Sequence, residues 1–218
     1  MARVADSSIL AGVSGSFGNL VVYMRMGKTY IRQKPIIGTK KKKPRTIPQQ
    51  AQMGKMKVLS AFQNITSDFL KIGFKLKGAD RNMTANNAAK SVNLLHGVKG
   101  EFPEQEINWD TVLVSDEDLI KPENVQVTVT RNAFQFTWDK DKTGIGSPND
   151  RTMILLYNKV HKRFHACYSG ARRGELKDTF FLNPAHIRNK TYEVFIAFKD
   201  VISDAVSKSV YCGKWQGS

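Results

Sequence analysis

The feature that most constrains the fold is a pattern of alternation in residues 18–35. Two runs whose successive residues would point to opposite faces, 20–25 and 29–33, flank the Met26-Gly27 pair. Two such runs joined by a glycine-containing turn are typical of an antiparallel β-hairpin. The pattern therefore predicts a hairpin with apolar residues on both of its faces. These residues are Leu20, Val22 and Met24 on one face and Val21 and Tyr23 on the other.

Positive charge is concentrated in and around this hairpin. No acidic residue occurs between Asp6 and Asp68, and the formal net charge of the chain is +15. The basic run at residues 39–45 cannot form a core, so it is either solvated or bound to a polyanion. The high net positive charge favours an anionic partner, which would be nucleic acid, an acidic surface or an acidic protein. The candidate polyanion- or partner-binding residues are Arg25, Lys28, Arg32, Lys34, Lys40, Lys41, Lys42, Lys43 and Arg45.

Helical periodicity follows the basic run. Apolar residues at helical spacing predict one long amphipathic helix over about residues 49–74, beginning after Pro48. A second, shorter helix is predicted over residues 84–96, with Thr84 as its N-cap and Gly97 after its last turn. Residues 1–17 are small and rich in glycine and serine, which is typical of an arm or a short edge strand leading into the hairpin.

The helices are followed by an acidic segment, residues 101–121, which we interpret as a linker. Its carboxylates have two possible roles. They are either solvated, or they neutralise the basic N-terminal face, within one chain or between neighbouring chains in an array.

From residue 122 to residue 218 the sequence has all-β character. Short alternating runs separated by turn residues predict a seven-stranded sandwich, with Trp138 and Tyr192 in its core. The predicted fold class is therefore α+β. A basic module of hairpin and helices at residues 1–121 precedes an all-β sandwich at residues 122–218.

Residues 122–212 resemble a fibronectin type III-like domain of the immunoglobulin-like class. The resemblance depends on Trp138 and on the spacing of Leu182, Pro184 and Tyr192, which is similar to the leucine, proline and corner tyrosine before the sixth strand of that fold. It implies structural roles for Trp138 and Tyr192.

Nearly the whole chain is also similar to a family of uncharacterised proteins of about this length from Bacteroidota. That resemblance implies no activity. The motifs that carry it include Gly18-Asn19, Gly27-Lys28, Ile31-Arg32, Gln49-Gln50, Ile72-Gly73-Phe74, Thr137-Trp138-Asp139 and Gly170-Ala-Arg-Arg173.

The sequence contains no motif typical of an enzyme, so we predict no catalytic, cofactor-binding or metal-binding residues. His161 and His165 are four residues apart in a strand-like run, which would hold them too far apart to share one ion. Cys167 and Cys212 are interpreted as reduced thiols in the core, although pairing between them stays open.

These observations favour a non-enzymatic structural or interaction protein, such as a virion or appendage component. The expected partners are other protein subunits, and the alternative is a nucleic-acid-binding protein that uses the hairpin and lysine run. With no signal peptide or membrane span apparent, we expect a cytoplasmic or virion-associated location. The hairpin residues expected to form the assembly contact are Leu20, Val22, Tyr23, Met24 and Tyr30.

Overall fold

A computed structural model describes residues 2–35 and 44–217. The chain divides into two compact units, Met1–Arg45 and Thr46–Ser218. The helices are α1 Ile47–Ile65, α2 Ser67–Gly73, α3 Lys75–Asp80, α4 Ala85–His96 and α5 Pro184–Ile187. The strands are β1 Ala2–Arg3, β2 Gly15–Phe17, β3 Leu20–Arg25, β4 Lys28–Gln33, β5 Val98–Lys99, β6 Glu106–Ile107, β7 Gln126–Val129, β8 Ala133–Thr137, β9 Arg151–Asn158, β10 Arg163–Cys167, β11 Lys177–Phe181, β12 Thr191–Lys199 and β13 Val210–Gln216.

The first unit is a four-stranded antiparallel sheet in the order β1-β4-β3-β2. Its centre is the hairpin β3–β4, in which Arg25 lies opposite Lys28. Met26 and Gly27 connect the two strands with φ angles of 51° and 72°. Two consecutive residues with positive φ form the short turn whose twist matches that of the flanking strands.

Residues 2–17 supply both edge strands of this sheet. The backbone N–H of Val4 donates to the carbonyl of Thr29 at 2.9 Å. The segment between β1 and β2 crosses one face of the sheet, because Gly12 N donates to Thr29 Oγ1 at 3.0 Å. Of the two expectations for the N-terminus, an arm or an edge strand, the structure has the edge strand.

The prediction of one continuous helix over residues 49–74 is wrong. The segment forms two helices, α1 and α2, because the chain bends at Thr66, and it bends again at Phe74. Thr66 Oγ1 donates to the carbonyl of Phe62 at 3.1 Å, a local bond that competes with regular helical bonding. The second predicted helix corresponds to α4. Its N-cap is Thr84, whose hydroxyl accepts a hydrogen bond from Asn87 N at 3.3 Å.

The second unit contains two antiparallel sheets with a core between them. One sheet has the order β10-β9-β12-β13 and the other has the order β11-β8-β7. Trp138 and Tyr192 are buried in this inter-sheet core, with exposures of 4% and 2%. The core residues are Val127, Phe134, Phe136, Trp138, Ile154, Leu156, Ile187, Tyr192, Val194, Ile196 and Phe198.

A second core lies on the opposite face of the four-stranded sheet, where the helices pack. It joins helix residues such as Phe62 and Phe69 to sheet residues such as Leu155 and Phe195. The unit therefore has three layers, and β9 and β12 are buried on both faces. The predicted boundary at 121/122 does not match the compact units, whose boundary falls at Arg45/Thr46, because the helices share a core with the sandwich.

Residues 101–121 are not a solvated linker. Val112 and Val114 are buried in the helix-facing core. The ring of Trp109 lies 5.6 Å from the rings of both Phe62 and Tyr157. The segment therefore connects the helical layer to the sheet. Within residues 2–35 and 44–217, no helix is both long enough and apolar enough to cross a membrane.

Candidate interaction surface

The register of the N-terminal sheet places basic and tyrosine side chains on the same face. Tyr23 lies opposite Tyr30, and Arg25 lies opposite Lys28. Alternate residues of a strand point to opposite faces, so the pairs in register define which side chains share a face. We call this set the cationic tyrosine face. It consists of Arg3, Tyr23, Arg25, Lys28, Tyr30 and Arg32.

The two tyrosines form the centre of this face. Their ring centroids are 5.9 Å apart with an interplanar angle of 23°, so the rings are stacked. The guanidinium carbon of Arg32 lies 5.7 Å from the Tyr23 ring centroid, within the range of a cation–π contact. Both tyrosines are half-buried, whereas Arg25 and Arg32 are exposed. The cations therefore surround a pair of stacked tyrosine rings.

The opposite face of the sheet carries exposed apolar side chains. Val22 and Thr29 are buried at its centre, with exposures of 3% and 4%. Phe17, Leu20 and Met24 lie on the same face but remain 54%, 44% and 51% exposed. We call these three residues the apolar strip. The two faces of the sheet thus differ in chemistry, and both are accessible within this unit.

The sequence-predicted cations are only partly brought together. Arg25, Lys28 and Arg32 share the cationic tyrosine face, and Lys34 is exposed just after β4. Lys40, Lys41, Lys42 and Lys43 lie outside the described residues, and Arg45 is the last residue of the first unit. Of the predicted assembly residues, Leu20, Val22 and Met24 lie on one face and Tyr23 and Tyr30 on the other.

Arg3 is not among the residues predicted from the sequence, and the pairing of β1 with β4 places it beside Tyr30. Arg3 also forms an exposed ion pair with Asp6 at 3.3 Å. A two-residue strand has no periodicity to reveal it, so no sequence signal identifies this residue.

The acidic segment is engaged inside the second unit. Glu106 forms ion pairs with Lys99 at 3.4 Å and Lys159 at 3.9 Å, and Asp116 pairs with Lys77. Glu117 accepts backbone hydrogen bonds from Leu76 at 2.7 Å and Val206 at 2.9 Å. Burial nevertheless raises the pKa of the Glu117 carboxyl. Three carboxylates of the segment therefore have partners within the second unit, whereas those of Glu101, Glu104 and Asp110 are exposed.

A buried ion pair closes one end of the inter-sheet core. Arg173 and Asp150 approach to 3.0 Å, with side-chain exposures of 5% and 1%. Arg173 also lies 4.2 Å from the ring centroid of Phe198, and its carbonyl accepts a hydrogen bond from Trp138 Nε1 at 3.0 Å. Burial raises the pKa of Asp150 although the Arg173 charge opposes this. These contacts give Arg173 a structural role at the end of the sandwich.

The two cysteines are free thiols, half-buried beside the inter-sheet core. Burial raises the pKa of the Cys167 thiol, and it raises the pKa of Cys212 to about 12. Neither thiol is therefore activated as a nucleophile at neutral pH. Within the described part of the chain, no group of three or more His, Cys, Asp or Glu side chains could hold a metal ion.

The comparisons with known proteins agree with the family-level resemblance and add no activity. No curated protein matches the chain. The model of a family of unknown function, DUF6266, matches residues 12–213, from the first unit through most of β13. This match includes most of the hairpin unit and the three-layered unit, so the chain belongs to the DUF6266 family.

Proposed function

We propose that this chain is a non-enzymatic structural protein that docks onto other protein subunits of a macromolecular assembly, such as a virion or appendage, through its N-terminal sheet. The observation that carries the proposal is the apolar strip, Phe17, Leu20 and Met24, which stays about half exposed on the same face as the buried residues Val22 and Thr29. The three-layered unit acts as the rigid body that the sheet attaches to the assembly.

Physical chemistry supports this use of the strip. Each apolar side chain that leaves water on docking contributes about 25 cal/mol per Å² of buried area. The cationic tyrosine face adds the residue types that are enriched at the centres of protein interfaces, tyrosine and arginine. The short edge strands β1 and β2 also present backbone groups to which a partner strand can add.

Replacement of the strip tests the proposal. We expect the triple variant Phe17→Ser, Leu20→Ser, Met24→Ser to fold but to lose self-association or partner capture, because these side chains are already exposed. The matched control replaces exposed apolar residues of the second unit, Leu95, Val160 and Ile202, with serine. Analytical ultracentrifugation over a concentration series measures the effect on self-association.

The docking proposal fails if the strip variant associates as well as the control variant. A second outcome would also contradict it. In that outcome the wild-type chain is monomeric at high micromolar concentration and low salt, and the strip variant captures the same partner subunits as the wild-type chain. Substitutions are preferable to deletion of residues 1–17, since that deletion removes β1 and β2.

A second candidate function, binding of nucleic acid, is favoured by the cationic tyrosine face. The first unit holds ten of the chain's 34 Lys and Arg residues and one of its 19 acidic residues. Aromatic rings that stack on bases, beside cations that contact phosphates, are the usual elements of single-strand binding. The stacked pair Tyr23 and Tyr30, flanked by Arg25 and Arg32, has this composition.

Salt dependence separates this candidate from protein docking. We expect Arg25→Gln, Lys28→Gln, Arg32→Gln together to reduce the slope of log affinity against log salt by about 2 for a single strand, at roughly 0.7 per phosphate contact. The matched control is Arg131→Gln, Lys140→Gln, Lys177→Gln, which removes the same charge from the second unit. Equal slopes for the two triple variants would remove the nucleic-acid interpretation of this face.

The same salt-dependence assay tests the Lys40–Lys43 run separately. Its replacement together with Arg45 should flatten the slope by several units if the run contacts phosphates. Unchanged retention on heparin after this substitution would exclude the run from the binding surface.

For the second unit we propose a fibronectin type III-like sandwich that serves as a spacer. Seven antiparallel strands divided between two sheets support this assignment. The hydroxyl of Tyr192 donates to the carbonyl of His186 at 2.6 Å, six residues upstream. A tyrosine at the start of the sixth strand, bonded to the preceding backbone, is a hallmark of such sandwiches.

A further inference from the structure

A cleft at one end of the second unit has no role in the functions proposed above. It lies between the β9–β10 turn and the α5–β12 connection, with a volume of about 230 Å³. Its lining consists of Asn158, His161, Arg163, His165, His186, Lys190 and Tyr192. Five of these seven side chains are cationic or can become so. Among the described residues that line the cleft there is no carboxylate.

The three histidines come from two separate parts of the chain. His161 lies in the turn before β10, and not on the strand with His165 as the sequence suggested. His186 belongs to α5, yet its ring centroid lies 5.1 Å from that of His165. His165 also lies 5.9 Å from the ring of Tyr192. The sandwich topology therefore gathers side chains that are far apart in sequence.

Hydrogen bonds hold both walls of the cleft in place. Asn158 Oδ1 accepts a bond from His161 N at 2.7 Å, which fixes the turn. Tyr192 donates to the carbonyl of His186, and Lys190 Nζ donates to the carbonyl of Ala185 at 2.9 Å. Asn158 and Tyr192 are buried, whereas Arg163 and His186 are exposed. The charged groups are thus carried on an ordered base and face the solvent.

The surroundings of His165 in the cleft favour its neutral ring. Burial lowers the pKa of His165, and the neighbouring charges of His186, Lys190 and Arg163 lower it further. Every charged neighbour that affects His165 is cationic. An anion within the cleft would reverse this effect, because a nearby opposite charge favours the protonated imidazole.

We propose that this cleft binds a small tetrahedral oxyanion, either a sulfate or phosphate ion or the phosphate group of a small ester. Arg163 supplies a planar guanidinium that can contact two oxygens at once, and Lys190 supplies a point charge. His165 and His186 donate further hydrogen bonds once protonated, so anion affinity increases as the pH falls toward 6.

An NMR titration of the full chain with sulfate tests the inference. Sulfate remains a dianion over the pH range in which histidine titrates, so changes in affinity report on the protein. At pH 6 we expect saturable shifts in the ring signals of His165 and His186, and a raised pKa for His165 because a bound anion favours its protonated ring. His96, on α4, is the only one of the four histidines outside the cleft and serves as the internal control.

A charge variant makes the test specific to the site. Arg163→Gln should weaken sulfate binding about tenfold at pH 6, as expected from loss of one charge-assisted contact. Arg131→Gln removes the same charge from the opposite sheet region and should leave the affinity unchanged. His165→Gln should remove most of the increase in affinity between pH 7.5 and pH 6.

Several outcomes would overturn the proposal. Shifts of His96 that equal those of the cleft histidines would mean general charge screening. Equal affinities for the Arg163 and Arg131 variants would place the anion elsewhere. A further arm uses inorganic phosphate and a short single-stranded oligonucleotide. Shifts produced by the oligonucleotide alone would indicate an extended polyanion, and not a small oxyanion, in the cleft.

Discussion

The two four-stranded sheets of the molecule, β1-β4-β3-β2 and β10-β9-β12-β13, are buried to very different extents. In the N-terminal sheet, β3 and β4 each have one buried residue out of six. In the second unit, β9 has seven buried residues out of eight and β12 has seven out of nine. The first sheet leaves side chains on both faces available for contact, whereas the second is covered by helices on one face and by a sheet on the other.

This difference separates scaffold from contact surface. A strand buried on both faces contributes to the stability of every layer it contacts, and its residues are constrained by packing. A sheet with accessible faces contributes less to stability, and its exposed residues are free to meet a partner. We therefore expect large stability effects in the second unit and binding effects in the first.

The largest contrast should come from the same substitution in the two sheets. Phe195→Ala removes a fully buried side chain from β12 and should lower the free energy of unfolding by about 3–5 kcal/mol. Phe17→Ala removes a half-exposed ring from β2 and should change it by less than about 0.5 kcal/mol. Urea unfolding, read from amide NMR signals of each unit, measures both.

Trp138→Ala tests the stability contribution of the other core of the second unit, the one between its two sheets. Its indole is buried and hydrogen-bonded to the Arg173 carbonyl, so we again expect a loss of about 3–5 kcal/mol. An unchanged urea midpoint for Phe195→Ala or for Trp138→Ala would contradict the assignment of β9 and β12 to two cores.

A medium effect is expected where the helical layer meets the 112–116 segment. A Cβ atom on Gly73 would clash with the Val114 carbonyl oxygen, so Gly73→Ala should cost about 1–3 kcal/mol. Gly54→Ala is the matched control, because the atom nearest to its Cβ would be the end of the flexible Gln105 side chain, and the Phe102 ring would lie at an ordinary contact distance of 3.4 Å. Because alanine favours a helix more than glycine does, Gly54→Ala should raise the free energy of unfolding by up to about 1 kcal/mol. Thermal unfolding that ranks the two variants the other way would refute this packing.

A smaller effect should appear in the hairpin turn of the first unit. Met26 has a φ of 51°, a conformation that costs a non-glycine residue about 1 kcal/mol and that asparagine tolerates better. Met26→Asn should therefore slow hydrogen exchange of the β3 and β4 amides severalfold. Met24→Asn, at an extended strand position on the exposed strip, is the control and should not slow it.

The smallest effect concerns pH and should be confined to the second unit, because the first contains no histidine. Burial lowers the pKa of His165 below its ordinary value of 6.5, so the folded state favours the neutral ring. As the pH falls from 7.5 to 5, the unfolded chain binds this proton first and the free energy of unfolding decreases. The decrease in the urea midpoint from pH 7.5 to pH 5, measured in sulfate-free buffer, should be smaller for His165→Gln than for the wild type. Identical decreases would show that His165 does not contribute.

Much of the local structure can be predicted from neighbouring residues. The alternation around Met26-Gly27 predicts a hairpin at residues 18–35, and Thr84 predicts the start of a helix, because both signals involve residues close in sequence. The placement of Tyr23 and Arg25 on one face of β3, and of Lys28, Tyr30 and Arg32 on one face of β4, follows from the same period of two. The contribution of Arg3 and the break at Thr66 have no comparably clear local pattern.

What the sequence by itself determined is local: the hairpin, the start of α4, the alternating strands and the placement of positive charge in the first unit. Only the tertiary structure decided that the helices and the acidic segment pack on β9 and β12. An apolar strand sequence indicates that the strand is buried, but it does not specify which element covers it. It alone gathered His161, His165 and His186 around one cleft. Contacts between distant residues depend on how the layers stack, and no sequence period encodes that stacking.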